Sequence, residues 1–368
     1  MTWAGRAALV VVSTLSVVTL TEGLLRYLGI GQTGLETWHT RNLYRPDPDL
    51  IYSLHPNATE TWSTEEFVEQ VHTNAIGLRG GELLDSGARP RILILGDSQT
   101  FGHGVRNEAP YPRRLQTLFE ARGRAVEVIN AGMQGYGSDQ SYKLFATRLR
   151  GLEPDLVIFA HYWNDIYDNV SKALYLIEDG GLVELDATGH PIYRLGWLHE
   201  ILPVAILELR ITRILFGALI TVGNEWLDAS AYENRPQRWG RKKLFLQLKE
   251  LERMSREDDF GLLVLAVPYR DGEPDHYRYL RHLERSGIPV LDAHSHPQWE
   301  SRKGKFFYGK DDHLTEQGHR RLARQLYDFI GPSDLLAGRG SRATKSQSTQ
   351  PQAGSTRQGS GAPTGILP

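Results

Sequence analysis

A serine, an asparagine, two aspartates and a histidine in this chain stand beside apolar runs, and together their types suit acyl transfer. Ser98 ends Gly96-Asp97-Ser98, directly after the run Arg91-Ile-Leu-Ile-Leu95. Asn130-Ala-Gly-Met-Gln-Gly135 follows Ala125–Ile129, and His161-Tyr-Trp-Asn164-Asp165 follows Asp155–Ala160. Lys310-Asp311-Asp312-His313 comes just before a helical pattern that starts at Thr315. A serine hydroxyl is a weak nucleophile and needs a general base within reach, together with donors for the oxyanion that develops. His313 can be that base. A carboxylate within two residues of it, Asp311 or Asp312, can hold its tautomer and stabilise the imidazolium. The backbone N–H groups of Ser98 and Gly135 and the side-chain amide of Asn164 are the expected oxyanion donors. Glycine lets the backbone come close to a substrate.

These residues must be carried by a scaffold. The β-branched and aliphatic runs at 91–95, 125–129, 155–160, 262–267 and 288–291 read as buried strands. Between them, 111–122, 140–149, 241–256, 277–286 and 315–330 read as helices, and 180–193 holds the turn signals of a small hairpin. Buried strands alternating with helices predict a parallel sheet covered on both faces. Active sites on such sheets lie at the carboxyl ends of the strands, where the residues above are found.

The two ends read differently. Ala7–Thr21 carries no charge and follows Arg6. Alone it spans roughly 22 Å, short of a ~30 Å hydrocarbon core, and extension through Leu25 restores the length. We expect residues 1–30 to be a membrane anchor or signal segment, with the uncleaved, N-in anchor favoured. Gly338–Pro368 is rich in Gly, Ser, Thr, Gln and Pro and has no aromatic residue, so 333–368 is expected to be a disordered tail. Trp197–Val222 is strongly apolar but interrupted by Glu200, Glu208, Arg210 and Arg213. It is expected to be an insertion helix rather than a second span.

Composition narrows the function. With 42 Lys and Arg against 44 Asp and Glu, the net charge of -2 shows no basic excess for nucleic acid. The absence of cysteine removes thiolate metal sites, disulfides and cysteine nucleophiles. Gly-x-Ser-x-Gly and the phosphate loop are absent, and no GxGxxG follows a strand. No cofactor is expected. Asp292, His294, His296 and His319 lack the spacing of a metal site, and none is assigned. His103 and His161 lie near the expected site and read as neutral lining.

Ile94-Leu-Gly-Asp-Ser-Gln-Thr-Phe-Gly-His-Gly-Val105 resembles the first block of the SGNH/GDSL hydrolases. Asn130–Gly135 resembles the second block, Asn164-Asp165 the third and Asp311–His313 the last. The resemblance implies an α/β fold, a three-layer α/β/α flavodoxin-like sandwich with a five-stranded parallel sheet. It implies Ser98 as nucleophile, His313 as base, and Ser98, Gly135 and Asn164 as the oxyanion hole. The family usually places its aspartate three residues before the histidine, where this chain has Lys310. Asp311 is the expected partner, with Asp312 the competitor, and Gly132 competes with Gly135. Tyr44–Pro48 and Asn74–Arg79 resemble extensions of membrane-anchored bacterial members, some of which act on cell-surface or secreted glycans. The expected organisation is an N-terminal extension over 31–87 and a hydrolase domain over 88–332, with an insertion at about 171–237. The expected activity is a serine esterase, held at the cell membrane with its catalytic domain extracytoplasmic, or secreted or periplasmic if the leader is cleaved. Its substrate would be an ester or acylated glycan. O-acyl transfer to a polysaccharide and non-catalytic glycan binding are the competing readings.

Overall fold

The computed structural model describes residues 2–28, 43–85, 87, 89–189, 236–271 and 276–336, with positions 193, 206, 209–212, 214 and 215. Most of the Trp197–Val222 segment and the expected tail from 337 onward lie outside the described residues.

The chain opens with a helix, α1 (Trp3–Tyr27), that is long and apolar enough to be a membrane span or a signal sequence. Its apolar side chains are exposed, and Glu22 near its end is buried against Arg26. Two antiparallel hairpins follow, neither of them read from the sequence. The first joins β1 (Tyr44–Asp47) to β2 (Ile51–Leu54), and the second joins β3 (Thr59–Ser63) to β4 (Val68–His72).

The central sheet begins with β5 (Arg91–Gly96), followed by a short helix α2 (Ser98–Phe101) and by α3 (Tyr111–Glu120). Then come β6 (Glu127–Gly132), α4 (Ser138–Leu144), β7 (Leu156–His161) and α5 (Asp165–Ser171). A small hairpin joins β8 (Tyr175–Glu178) to β9 (Gly181–Glu184). Its turn lies at Asp179-Gly180, so half of it precedes the range read from the sequence. Asp139 on α4 accepts the N–H groups of Leu174 and Tyr175, and this pins the first strand early.

The second half supplies α6 (Pro236–Asp258), β10 (Gly261–Ala266), a 3-10 turn at His276–Leu280 and α7 (Arg281–Arg285). It closes with β11 (Val290–Asp292), two one-turn helices α8 (Gln298–Ser301) and α9 (Lys303–Phe306), and α10 (Glu316–Ile330). The helix expected over 277–286 is thus tighter in its first half, where Tyr277 is buried and its hydroxyl donates to the Val267 carbonyl.

The five strands lie parallel in the order β11-β10-β7-β5-β6. Alternation along each strand divides the core in two. Leu93 and Leu95 of β5 and Val157 and Phe159 of β7 face Leu244, Leu248 and Leu251 of α6. Ile92, Ile94, Leu156 and Ile158 face Leu115 and Phe119 of α3 and Leu322, Leu326 and Ile330 of α10. The fold is therefore an α/β/α sandwich around a five-stranded parallel sheet. Because β5 lies between β6 and β7, the loops after those strands flank the one that carries Ser98.

Candidate active site

Ser98 opens α2 one turn after β5. Its helix is capped by Asp97, whose Oδ1 accepts the Gln99 N–H at 3.0 Å. Asp97 is fully buried, and burial, with Asp165 nearby, pushes its carboxyl well above the usual range. The helix ends after four residues at Gly102, whose φ is +91°. A Cβ there would fall 2.5 Å from the Pro110 ring, so the chain turns sharply and carries His103 back toward Ser98.

His313 approaches from the loop before α10. Its Nε2 lies 2.8 Å from Ser98 Oγ, and its Nδ1 is hydrogen-bonded to Asp311 Oδ1. Asp312 turns the other way, with Oδ1 3.7 Å from Arg270 Nε. Of the two candidate carboxylates the structure thus brings Asp311, not Asp312, to the imidazole. Two residues close this contact because Asp312 takes a φ of +29° and the His313 N–H reaches back to the Asp311 carbonyl at 2.5 Å. Burial alone would raise the Asp311 carboxyl. Its hydrogen bonds to His103 and His313 outweigh that and hold it well below the usual carboxylate range.

The oxyanion candidates sit on the flanking loops. Gly132 packs so close to α2 that a Cβ would fall 2.3 Å from the Phe101 nitrogen, and its own N–H is given to Asn130 Oδ1 at 3.0 Å. Gly135 has a φ of +73°, and its N–H has no acceptor among the described residues. Asn164 stands at the start of α5, half-buried, with Oδ1 unpartnered. Asp165 beside it has a structural place. It accepts the Tyr162 N–H at 3.0 Å and faces His161 Nδ1 at 2.8 Å. Burial, with the Arg241 charge, depresses His161 to about 3, so it stays neutral and its Nε2 accepts a hydrogen bond from the Tyr279 hydroxyl.

The other histidines lie apart from this chemistry. His294 stacks on Tyr269, His296 meets Arg321 and His319 accepts the Tyr111 N–H. Among the described residues, His103, Asp311 and His313 bring three metal-capable side chains together. Their facing atoms are joined to one another, carboxylate between imidazoles, as a hydrogen-bond chain needs.

Sequence reasoning did not find the support that the β3–β4 hairpin gives this loop. Glu66, in its turn, accepts the N–H groups of Gly309, Lys310 and Asp311 at 3.0–3.1 Å. Phe67 packs on Tyr308 and His103, and the Tyr308 hydroxyl donates to the Gly104 carbonyl. Arg79 ties the hairpin to α2 by donating to the carbonyls of Gln70, Phe101, Gly102 and Val105. The only signal of this in the sequence was the tract Asn74–Arg79 itself.

Residues 94–241 match the model of the GDSL-like Lipase/Acylhydrolase family, a stretch that includes Ser98, Gly135 and Asn164. The chain carries a GDSL-like lipase/acylhydrolase domain. It is accordingly an enzyme acting on ester bonds. A comparison with curated proteins finds no match. Among solved structures it is similar to a lipase/acylhydrolase from Enterococcus faecalis, at 15% identity over 66% of this chain and 95% of that one, with a TM-score of 0.37. It is also similar to an acetyl-xylooligosaccharide esterase from Geobacillus, at 14% identity over 67% of this chain and 96% of that one, TM-score 0.41. A G-D-S-L family lipolytic protein from Veillonella parvula shares 11% identity over 66% and 99%, TM-score 0.39.

Proposed function

We propose that this GDSL-like domain hydrolyses a carboxylic ester through an acyl-enzyme on Ser98. The observation that carries the reading is the chain of contacts Ser98 Oγ, His313 Nε2, His313 Nδ1, Asp311 Oδ1. Ser98 Oγ attacks the ester carbonyl carbon while His313 Nε2 takes its proton. The tetrahedral oxyanion is met by the N–H of Ser98, the N–H of Gly135 and Asn164 Nδ2. Collapse breaks the bond to the alcohol, which leaves with the proton from His313. Water then attacks the acyl carbonyl, gives its proton to His313, and collapse frees the acid and Ser98. Asp311, kept ionised by its two imidazole neighbours, fixes the His313 proton on Nδ1 and stabilises the imidazolium in each half-reaction.

For the substrate, an O-acetyl ester of a cell-surface or secreted glycan is the class that the resemblance of Tyr44–Pro48 and Asn74–Arg79 favours. In this reading α1 holds the hydrolase domain to the outer side of a membrane. Supporting this are the apolar length of α1 and the single cation, Arg6, near its start.

The test uses the full chain in detergent, wild type and Ser98→Ala, both with the same circular dichroism. A fluorophosphonate should add to wild type at the Ser98 peptide and not to the variant, and acetate release from an acetylated polysaccharide should vanish with the substitution. A folded wild type that neither reacts nor releases acid would overturn the proposal.

A further inference from the structure

His103 is the neighbour of this site that the mechanism above leaves unused. Its ring lies edge-on to His313, with centroids 4.5 Å apart, and is enclosed by Phe67 and Trp62. Its Nε2 is 3.3 Å from Asp311 Oδ2, the oxygen that His313 does not use. Its Nδ1 meets the Gln134 side-chain nitrogen.

The tautomer of His103 follows from what its neighbours can donate. Glu69 is fully buried, with its Oε1 turned toward the Arg79 guanidinium, so that oxygen is an acceptor. It lies 3.3 Å from the Gln134 amide, so the amide must present its nitrogen on that side. The Gln134 oxygen then accepts the Tyr44 hydroxyl. The same Gln134 nitrogen faces His103 Nδ1, so Nδ1 must accept and the His103 proton sits on Nε2. That N–H points at Asp311. Glu69 Oε2 lies 3.6 Å from Nδ1, too far for a good hydrogen bond to compete for the ring. Arg79 Nη1, 3.7 Å from Glu69 Oε1, keeps the Glu69 charge compensated in the buried hairpin.

We propose that His103 is a positioning residue for the Ser98 reaction: its Nε2–H holds the second oxygen of Asp311, and Glu69 and Gln134 fix the tautomer that allows this. The inference rests on the reading of Ser98, His313 and Asp311 given above. The physical need for it is local. Asp311 sits on a two-residue link to His313, in a loop where Asp312 already carries a positive φ and about a quarter of the Asp311 side chain is exposed. Held by one oxygen, such a carboxylate can rotate toward solvent and release His313. Held by both, it is fixed in the plane that His313 Nδ1 requires. The N-terminal extension therefore forms part of the reaction machinery: β4 contributes Glu69, and the turn before it contributes Glu66 and Phe67.

The experiment compares the full chain with His103→Phe, which keeps a ring but has no donor, and His103→Gln, which keeps a donor. The readouts are kcat and KM on 4-nitrophenyl acetate and the rate of fluorophosphonate addition to Ser98. His103→Phe should lower kcat and the labelling rate together by about tenfold, as loss of orientation does, with KM within twofold. His103→Gln should recover at least threefold of that loss. A phenylalanine variant within twofold of wild type, or a glutamine variant no faster than it, would overturn the proposal. A second readout needs no substitution: 15N-histidine spectra of the wild type at neutral pH should show His103 protonated on Nε2, and protonation on Nδ1 would refute it whether or not the variants fold. A wild type that fails to label at Ser98 refutes the esterase reading instead and leaves the tautomer to judge His103.

Discussion

Replacing Asp311 by asparagine removes one charge while keeping the side chain's shape, and the structure sets what this should cost. Asp311 Oδ1 accepts the N–H of His313 Nδ1, and Oδ2 faces His103 Nε2, whose N–H it accepts in the tautomer proposed above. An amide has one accepting oxygen and one donating nitrogen. If the oxygen stays with His313, the amide nitrogen confronts the His103 N–H. If the amide turns over, His313 must move its proton to Nε2 and can no longer accept from Ser98. The imidazolium formed during attack also loses its counter-charge. With charge centres about 5 Å apart and an effective dielectric near 20, that attraction is roughly 3 kcal/mol. Both side chains are about a quarter exposed, which trims the figure to roughly 2–3 kcal/mol. This is on the order of a hundredfold in kcat, and the wrong tautomer deepens the loss toward about 10⁴-fold. The assay is kcat on 4-nitrophenyl acetate, with fluorophosphonate labelling of Ser98 as a substrate-independent check. Asp312→Asn is the matched control, because that carboxylate faces Arg270 and should cost less than about threefold. Asp311→Asn within threefold of wild type, or Asp312→Asn losing as much as Asp311→Asn, would refute the reasoning.

Two more expectations follow from the same structure. Gly135→Ala puts a Cβ on a residue with a φ of +73°, which costs about 1–2 kcal/mol of stability and displaces the N–H proposed as an oxyanion donor. We expect kcat to fall at least tenfold while Tm drops only a few degrees; a loss of Tm with kcat unchanged would remove Gly135 from the hole. His319 is fully buried, and burial, with the charges of Arg79 and Arg114, pushes its pKa well below the ordinary value. The unfolded chain takes up this proton near pH 6.5 and the native one does not. The stability tied to this group is therefore whole above about pH 6.5 and declines as the pH falls below it, by up to ~1.4 kcal/mol per pH unit. His319→Gln, whose amide oxygen can still accept the Tyr111 N–H, should flatten that decline in urea titrations at pH 7.5 and 5.5; parallel declines in variant and wild type would dismiss the assignment.

The alternation of aliphatic runs with amphipathic helices determined the sheet and its two covering layers. That information is local: each strand advertises burial by its own residues, and each helix by the spacing of its own apolar face. The positions of Ser98, Asn130, Asn164 and His313 after or before those runs were legible for the same reason, since a parallel sheet sends every strand end to one edge. Asp311 was the expected partner, but nothing in the sequence removed Asp312 as its competitor. Adjacent residues look alike in one dimension, and the decision depends on a positive φ at Asp312 and on what waits on either side, an imidazole or the Arg270 guanidinium. Gly135 was likewise expected with Gly132 as its competitor, and the physical difference between them is tertiary: the Gly132 N–H is bound to Asn130, while that of Gly135 meets no acceptor among the described residues. Least legible of all was the part played by Glu66, Glu69 and His103. They are separated from Asp311 by more than 200 residues of chain, and their polar side chains carry no periodicity that announces a partner. Only closure of the fold brings the second hairpin against the loop before α10, because contacts of that separation are set by the packing of whole elements and not by any pattern within them.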